Sequence, residues 1–136
     1  MITRPATADD LAAMDSIQRA SPEASQWNAA DYLAHDCTVA VEDTRVIAFL
    51  VARETAPGER EILNIAVDPQ ERRRGIARRL AEGALTASPG EWFLEVRESN
   101  SAARKFYESL GFHEIGRREN YYSESPEAAI VMRFFS

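Results

Sequence analysis

A dense cluster of arginines is the first feature of this sequence that could do chemistry. Five of the sixteen basic residues lie between Arg72 and Arg79, with Gly75 among them. The segment follows a β-rich run and opens a helical pattern. The first turn of a helix offers free N–H groups and a partial positive charge, so a diphosphate can bind there. A solvated helix face is the alternative interpretation.

An isolated carboxylate is the second such feature. Glu95 interrupts the apolar run Trp92–Val96. A central parallel strand is expected to be almost entirely apolar, and a buried carboxylate is costly unless it is paired or used. A carboxylate in a cleft is therefore a candidate catalytic group. Alternatively Glu95 faces water or pairs with an arginine such as Arg97, and the pattern favours neither interpretation.

Two further polar groups follow on the next predicted helix. Tyr107 belongs to a stripe with Ala103, Phe106 and Leu110, and aromatic residues at this spacing usually pack in the core. Asn100 lies seven residues earlier on the same face. It either caps the helix or contacts a ligand.

These residues must be positioned by alternating strands and helices. The hydrophobic patterns predict a strand over 62–67, a helix from about Arg72 to Leu85, a strand over 92–96 and a helix over 100–110. Gly111 then supplies a left-handed cap. Because a strand–helix–strand crossover is almost always right-handed with parallel strands, the two central strands are expected to be parallel.

Antiparallel hairpins are predicted on both sides of this unit. The strands are expected at 2–4, 38–41, 46–52, 113–117 and 128–134, with turns at 42–45 and 56–59. Thr7 and Asp10 predict the start of one helix, and a second short helix is expected near Asn28. The predicted fold class is α/β, a mixed sheet of about six to seven strands with about four helices on its faces.

Composition limits the classes of function. The 136 residues have the size of one domain, 1–136, and no apolar run approaches the ~20 residues that span a bilayer. The net charge of −6 argues against general nucleic-acid binding. The lone cysteine, Cys37, cannot form an internal disulfide, and residues 1–5 do not have the pattern of a signal peptide, so we expect a cytoplasmic protein. His35, His113 and Cys37 are not at metal-ligand spacing, so we expect no metal.

The arginine segment resembles a known signature. Arg72–Ala77 fits the acetyl-CoA motif of the GNAT superfamily, Q/R-x-x-G-x-G/A, and its place after Leu63–Pro69 strengthens the likeness. A dinucleotide-binding turn needs G-x-G-x-x-G and a P-loop ends in G-K-S/T, and neither stands here. The resemblance implies the GNAT acyl-CoA N-acyltransferase fold. It also implies that acetyl-CoA is held by Ile65, Ala66 and Val67 through its acyl carbonyl and pantetheine arm, and by Arg73, Arg74, Gly75, Ile76, Ala77 and Arg78 through its phosphates.

The C-terminal half shows a closer resemblance. Roughly 75 residues are similar to the bacterial ribosomal-protein-alanine N-acetyltransferases, in the segments 92–103, 106–112, 117–122 and 127–132. The Leu-Glu-Val-Arg and Asn-Tyr-Tyr elements favour this branch over other GNAT enzymes. By that resemblance Glu95 is the general base, Tyr107 is the general acid, and Asn100 binds CoA.

The resemblance implies a function. We expect an N-acetyltransferase that acts on a protein N-terminal α-amine, namely an alanine of a small-subunit ribosomal protein. Two alternatives remain: a GNAT enzyme acting on lysine or a small-molecule amine, and a non-catalytic acyl-CoA sensor. Trp27, Tyr121 and Tyr122 could line the acceptor groove or pack as ordinary aromatics. Asn64 could order a water near Glu95 or lie at a sheet irregularity.

Overall fold

The computed structural model describes residues 1–21, 28–119 and 127–135. Within this part the chain forms ten main elements: β1 (Ile2–Pro5), α1 (Leu11–Arg19), β2 (Asp36–Glu42), β3 (Arg45–Ala56), β4 (Glu59–Val67), α2 (Ile76–Ala87), β5 (Glu91–Arg97), α3 (Ser101–Leu110), β6 (His113–Arg118) and β7 (Ala129–Phe135). Three short 3₁₀ turns lie at Ala8–Asp10, Ala29–Ala34 and Pro69–Glu71. The predicted mixed α/β class is confirmed. None of the described helices has the length and apolar character needed to cross a membrane.

The elements divide into two compact units. The first comprises Met1–Arg53 and Ile62–Ala87, and the second comprises Glu54–Glu61 and Ser88–Ser136. In the first unit the strand order is β1-β2-β3-β4, and β2 pairs antiparallel with both β1 and β3. The turn between β2 and β3 has two residues, Asp43 and Thr44, with φ of 50° and 66°. Such a turn matches the twist of the strands it joins, and the hairpin predicted at 42–45 is confirmed.

Helix α1 is held to the first strand by a buried carboxylate. The backbone N–H of Thr7 donates to Asp10 at 2.8 Å, as a capping box requires. The Arg4 guanidinium donates to both Asp10 oxygens, at 2.8 and 2.9 Å. Arg4, followed by the N–H of Thr7, lowers the pKa of Asp10 to about 2. Met14 and Ile17 of α1 then pack into the core of the unit with Tyr32, Val39, Phe49, Val51 and Ala66.

The second unit is built around β5. Residues Glu59–Glu61 of β4 pair in parallel with Glu91–Phe93, so the parallel arrangement predicted for these strands is confirmed. On its other side β5 pairs antiparallel with β7 along its whole length, and β7 pairs antiparallel with β6. Helix α3 ends at Gly111, whose φ of 109° is the left-handed conformation expected there.

The start of α2 differs from the prediction. A helix was expected from about Arg72, but α2 begins at Ile76. Arg73 and Gly75 have φ of 66° and 73°, and a right-handed helix cannot contain left-handed residues. The residues before Ile76 therefore form a loop after the 3₁₀ turn Pro69–Glu71.

Candidate functional site

The loop before α2 is the candidate anion-binding element. Asp68 begins it: its carboxylate accepts the backbone N–H of Gln70 at 3.0 Å, which closes the 3₁₀ turn. The first intrahelical bond of α2 runs from the N–H of Arg79 to the carbonyl of Gly75 at 3.0 Å. The N–H groups of Ile76 and Ala77 precede that bond in the chain, where a helix has no intrahelical acceptor to offer. These donors are what an anion at this end of α2 would bind.

Gly75 leaves space beside these donors. A Cβ built on Gly75 meets no atom within 4 Å, and its φ of 73° disfavours any other residue. Ile76 is buried and anchors the first turn of α2 in the core, Ala77 is half-buried, and Arg78 is exposed. The space at Gly75 fits a phosphate that lies against the backbone.

The arginines of this segment have different partners. Arg74 donates to Glu42 at 2.7 and 3.1 Å and to Glu71 at 2.6 Å. Arg78 lies 3.7 Å from Glu82 on the next turn of α2, and Arg73 is exposed. Of the three arginines predicted to bind phosphate, Arg74 is thus the one held between two carboxylates.

Strand β4 carries the predicted pantetheine-binding residues. Its side chains alternate, so that Ala66 is buried in the core of the first unit while Ile65 and Val67 are half-buried on the opposite face. A strand presents successive side chains to opposite faces, so this pattern needs no distortion. Ala66 therefore packs in the core, whereas Ile65 and Val67 are only half-buried, and both arrangements are compatible with a ligand that is bound by backbone groups.

Asn64 lies in a buried polar cluster of the first unit. Its Nδ2 donates to the Tyr32 hydroxyl at 2.9 Å and lies 3.2 Å from Oε1 of Gln18. The Tyr32 hydroxyl also donates to Gln18, and all three side chains are nearly inaccessible to solvent. A buried amide is expected to be hydrogen-bonded in this way. Asn64 thus ties β4 to α1 and to the 3₁₀ turn Ala29–Ala34.

Glu95 lies on the less buried face of β5. Trp92, Leu94 and Val96 are buried, whereas Glu95 and its odd-numbered neighbours are half-buried. The expectation of an almost entirely apolar strand was wrong for β5, because only one of its faces packs in the core. The Glu95 side chain is 17% exposed, and its Oε1 lies 3.2 Å from Nε of Arg118. Arg97, the partner suggested by the sequence, instead pairs with Glu127 at 3.2 Å.

Helix α3 carries the other two candidates of the second unit. Asn100 is its N-cap, and its side chain accepts the backbone N–H of Ala103 at 3.1 Å. Tyr107 is buried, with ring centroids 5.3 Å from Phe106 and 5.7 Å from Phe112. Burial raises the pKa of Tyr107, and no described residue hydrogen-bonds its hydroxyl. The hydroxyl therefore keeps its proton at neutral pH.

Comparison with known proteins identifies the family. The model of the acetyltransferase (GNAT) family matches residues 8–112. The chain belongs to the GNAT family. Residues 8–112 include the loop before α2, Glu95 and Tyr107, so the candidate site of this GNAT chain lies within the matched region.

Curated relatives narrow the comparison. The GNAT chain is 43% identical to a [ribosomal protein bS18]-alanine N-acetyltransferase of Salmonella typhimurium over 96 residues, which is 66% of this chain and 64% of the relative. It is 45% identical to the N-alpha-acetyltransferase RimI of Mycobacterium tuberculosis over 80 residues, which is 58% of this chain and 51% of the relative. The chain therefore spans less than two thirds of the length of either relative.

A solved structure extends the likeness to nearly the whole chain. The ribosomal-protein-S18-alanine N-acetyltransferase from Escherichia coli superposes with a TM-score of 0.83, at 29% identity, over 98% of this chain and 92% of that one. The predicted GNAT fold is confirmed by this likeness.

Several residues around the candidate site were not predicted from the sequence of this GNAT chain. Arg118 beside Glu95, Glu42 beside Arg74, and Gln18 and Tyr32 beside Asn64 come from distant parts of the sequence. Glu71, which also contacts Arg74, lies only three residues before it, so the sequence alone could have suggested this pair. The aromatic residues that could line the acceptor groove lie outside the described residues; they are Trp27, Tyr121 and Tyr122. Asn120 also lies outside them.

Proposed function

We propose that this chain is an acetyl-CoA-dependent N-acetyltransferase that acts on a protein N-terminal α-amine. The observation that carries the proposal is the 43% identity to the Salmonella alanine N-acetyltransferase. The finer proposal is that the acceptor is the N-terminal alanine of a small-subunit ribosomal protein, as the name of that relative suggests. We further propose that residues 1–136 act as a single catalytic domain, since the family model spans residues 8–112.

Acetyl-CoA would be held by the first unit. The N–H groups at the start of α2 and the space at Gly75 suit a diphosphate, and the exposed side chains of Arg73 and Arg78 can add charge-assisted hydrogen bonds. Backbone groups of Ile65, Ala66 and Val67 would take the acyl carbonyl and the pantetheine arm, as in the family. Asn100 is assigned to CoA by the resemblance, in addition to its capping role.

Glu95 is proposed as the general base. A protein α-amine has a pKa of about 7.7–8.0, against about 10.4 for lysine, so a carboxylate acting through water can deprotonate it without a large pKa shift. The free amine attacks the thioester carbonyl carbon, and the oxyanion is stabilised by a backbone N–H near Val67. The half-buried position of Glu95 supports this role, because its carboxylate remains reachable for a polar acceptor.

Tyr107 is proposed as the general acid. As the new C–N bond forms, the nitrogen releases its extra proton to water, the C–S bond breaks and the CoA thiolate leaves. Tyr107 gives its proton to that sulfur and regains one from solvent. Burial raises the pKa of Tyr107, so the hydroxyl carries its proton at neutral pH.

The setting proposed is cytoplasmic. Cys37 is buried and unpaired, and burial raises the pKa of its thiol to about 12, so it is an unreactive core residue. A protein with no disulfide suits a reducing compartment, which is also where ribosomal proteins are available as acceptors.

The proposal is tested by acetylating a peptide library. The protein is incubated with acetyl-CoA and peptides that represent ribosomal-protein N-termini, and mass spectrometry locates the acetyl group. We expect acetyl on the α-amine of alanine-initiated peptides, with free lysines unmodified. Acetylation of lysine side chains alone, or of a small-molecule amine alone, would move the enzyme to another acceptor class. Binding of CoA without turnover on any acceptor would favour the sensor.

A further inference from the structure

Arg74 is bound on both sides by carboxylates of its own chain. Nη1 lies 3.1 Å from Oε1 of Glu42 and 2.6 Å from Oε2 of Glu71, and Nη2 lies 2.7 Å from Oε2 of Glu42. The contact with Glu42 is a paired, bidentate one, the strongest geometry available to a guanidinium. These ion pairs raise the pKa of Arg74 and lower the pKa of Glu42.

The same carboxylates belong to a larger ion-pair network. Arg45 donates to Asp68 at 3.0 Å and to Glu71 at 2.6 Å, and Glu71 also accepts from Arg74. Glu42 and Arg45 are the two residues that flank the turn between β2 and β3. Asp68, Glu71 and Arg74 belong to the loop before α2. The network therefore fastens this loop to a rigid hairpin at three points.

A backbone contact adds to this attachment. The N–H of Asp68 donates to the carbonyl of Ile47 on β3 at 2.8 Å. Between Asp68 and α2 the loop then contains two left-handed residues, Arg73 and Gly75, with Arg74 between them. Left-handed conformations are unfavourable for an arginine and persist only where surrounding contacts hold them. The ion pairs of Arg74, which lies between the two left-handed residues, are the contacts that hold this part of the loop.

We propose that Arg74 is a positioning residue that shapes the anion-binding loop through Glu42 and Glu71, and that it does not bind the cofactor phosphates itself. The inference rests on the proposed function and changes one of its assignments, since the signature marks Arg74 as a phosphate ligand. Two carboxylates within 3.1 Å already neutralise this guanidinium, and a diphosphate brought to it would be repelled by both. The phosphates then rely on the backbone N–H groups at the start of α2 and on the other arginines.

The two roles predict opposite effects for one substitution. Glu42→Gln removes a negative charge beside Arg74 and weakens the bidentate contact. If Arg74 positions the loop, Glu42→Gln raises the Kd for CoA by about tenfold, the equivalent of ~1.4 kcal/mol. The KM for acetyl-CoA rises with it while kcat stays within a factor of about two, because the binding that is lost is common to the ground state and the transition state. If Arg74 is a phosphate ligand, the same substitution frees it and lowers the Kd.

The experiment measures CoA binding by calorimetry together with steady-state kinetics. Asp15→Asn is the matched control, because it also removes a carboxylate from an arginine ion pair of the first unit, with Arg19 at 3.0 Å on α1. It is expected to leave the Kd unchanged. An unchanged or lower Kd for Glu42→Gln, with normal binding by the wild-type protein, would overturn the inference and leave the proposed function intact. Failure of the wild-type protein to bind CoA would instead overturn both.

A charge exchange provides a second measurement. Arg74→Glu is expected to weaken CoA binding, and adding Glu42→Arg is expected to restore most of it, because the pair is rebuilt with opposite signs. A double variant that binds CoA as weakly as Arg74→Glu alone would contradict the positioning role. If either charge-reversed variant does not fold, as judged by its melting temperature without ligand, Arg74→Gln combined with Glu42→Gln replaces the pair. It is expected to bind no more weakly than Glu42→Gln alone.

Discussion

Two buried tyrosines of this chain have opposite hydrogen-bonding environments. The Tyr32 hydroxyl donates to Gln18 and accepts from Asn64, whereas no described residue hydrogen-bonds the hydroxyl of Tyr107. A side chain that is buried with satisfied bonds stabilises the fold, and a hydroxyl without such bonds is available to a ligand. The surroundings therefore assign a structural role to Tyr32, whereas the catalytic role of Tyr107 is a proposal that a substitution can test.

Replacing each tyrosine by phenylalanine separates these roles. Tyr107→Phe keeps the ring between Phe106 and Phe112, so we expect a nearly unchanged free energy of unfolding and a turnover lower by roughly 10²–10⁴-fold. Tyr32→Phe removes the hydrogen bonds between the hydroxyl and two buried amides, so it should lower the free energy of unfolding by about 1–3 kcal/mol. Denaturant unfolding and steady-state kinetics on both variants check this. Unchanged turnover for Tyr107→Phe would reduce Tyr107 to a core residue.

At the same scale, the sequence predicted residue types better than residue partners. Glu95 is unusual in its strand whatever the fold, so the pattern alone was enough to single it out. Its partner Arg118 is twenty-three residues away and depends on the pairing of β5 with β7 and of β7 with β6. The sequence suggested Arg97 instead, which is near in the chain but pairs with Glu127.

Among the elements, the loop before α2 and the turn between β3 and β4 provide a matched pair of glycines. Gly75 and Gly58 have φ of 73° and 75°, and a Cβ at either position meets no atom within 4 Å. Alanine at each position should therefore cost a similar free energy of unfolding, about 1 kcal/mol. Gly75→Ala alone should also weaken CoA binding, because its methyl group takes the space of a phosphate. Equal CoA affinities of the two variants, measured by calorimetry, would argue against phosphate binding at Gly75.

The attachment of α1 to β1 predicts a pH effect on stability. The pKa of Asp10 is about 2 in the folded state and about 3.9 when unfolded, so its contribution is present above pH 5 and is lost as the pH falls towards 2. Asp10→Asn should therefore lower the free energy of unfolding by on the order of 2 kcal/mol at pH 7, and by much less near pH 2. Urea unfolding across this range measures the difference. The same loss at both pH values would contradict the assigned pKa.

The sequence predicted turns and helix ends correctly where residues close in the chain determine them. The turns at 42–45 and 56–59, the cap at Gly111 and the capping box at Thr7 depend on residues near in sequence, and each was located correctly. The start of α2 was not, because arginines favour helices and their sequence does not reveal left-handed backbone. The ion pairs with Glu42 and Glu71 accompany that conformation, and they depend on the β2–β3 hairpin, which is remote in sequence.

Two properties belong to the whole molecule: its net charge and its likeness to proteins of the GNAT family. The chain has a net charge of −6 although five of its arginines lie close together. Two of these arginines, Arg74 and Arg78, lie beside carboxylates of the same chain, which offset their charge locally. The resemblance noted in the sequence was strongest over the C-terminal half, whereas the fold matches a solved relative over 98% of the chain. A core tolerates many substitutions while its fold is kept, so the N-terminal halves of two relatives can share a fold with little sequence resemblance. The sequence of the N-terminal half therefore gave less evidence for the family than its structure does.

Glu95 is proposed to deprotonate an α-amine, and the pH–rate profile of Glu95→Gln shows whether it does. The substrate is an alanine-initiated peptide whose lysines are blocked. The variant should be slower than wild type at neutral pH and should recover as the pH rises past about 8, where an α-amine loses its proton unaided. A lysine acceptor would need a pH some two units higher for the same recovery. Superimposable profiles for the variant and the wild type would contradict the account.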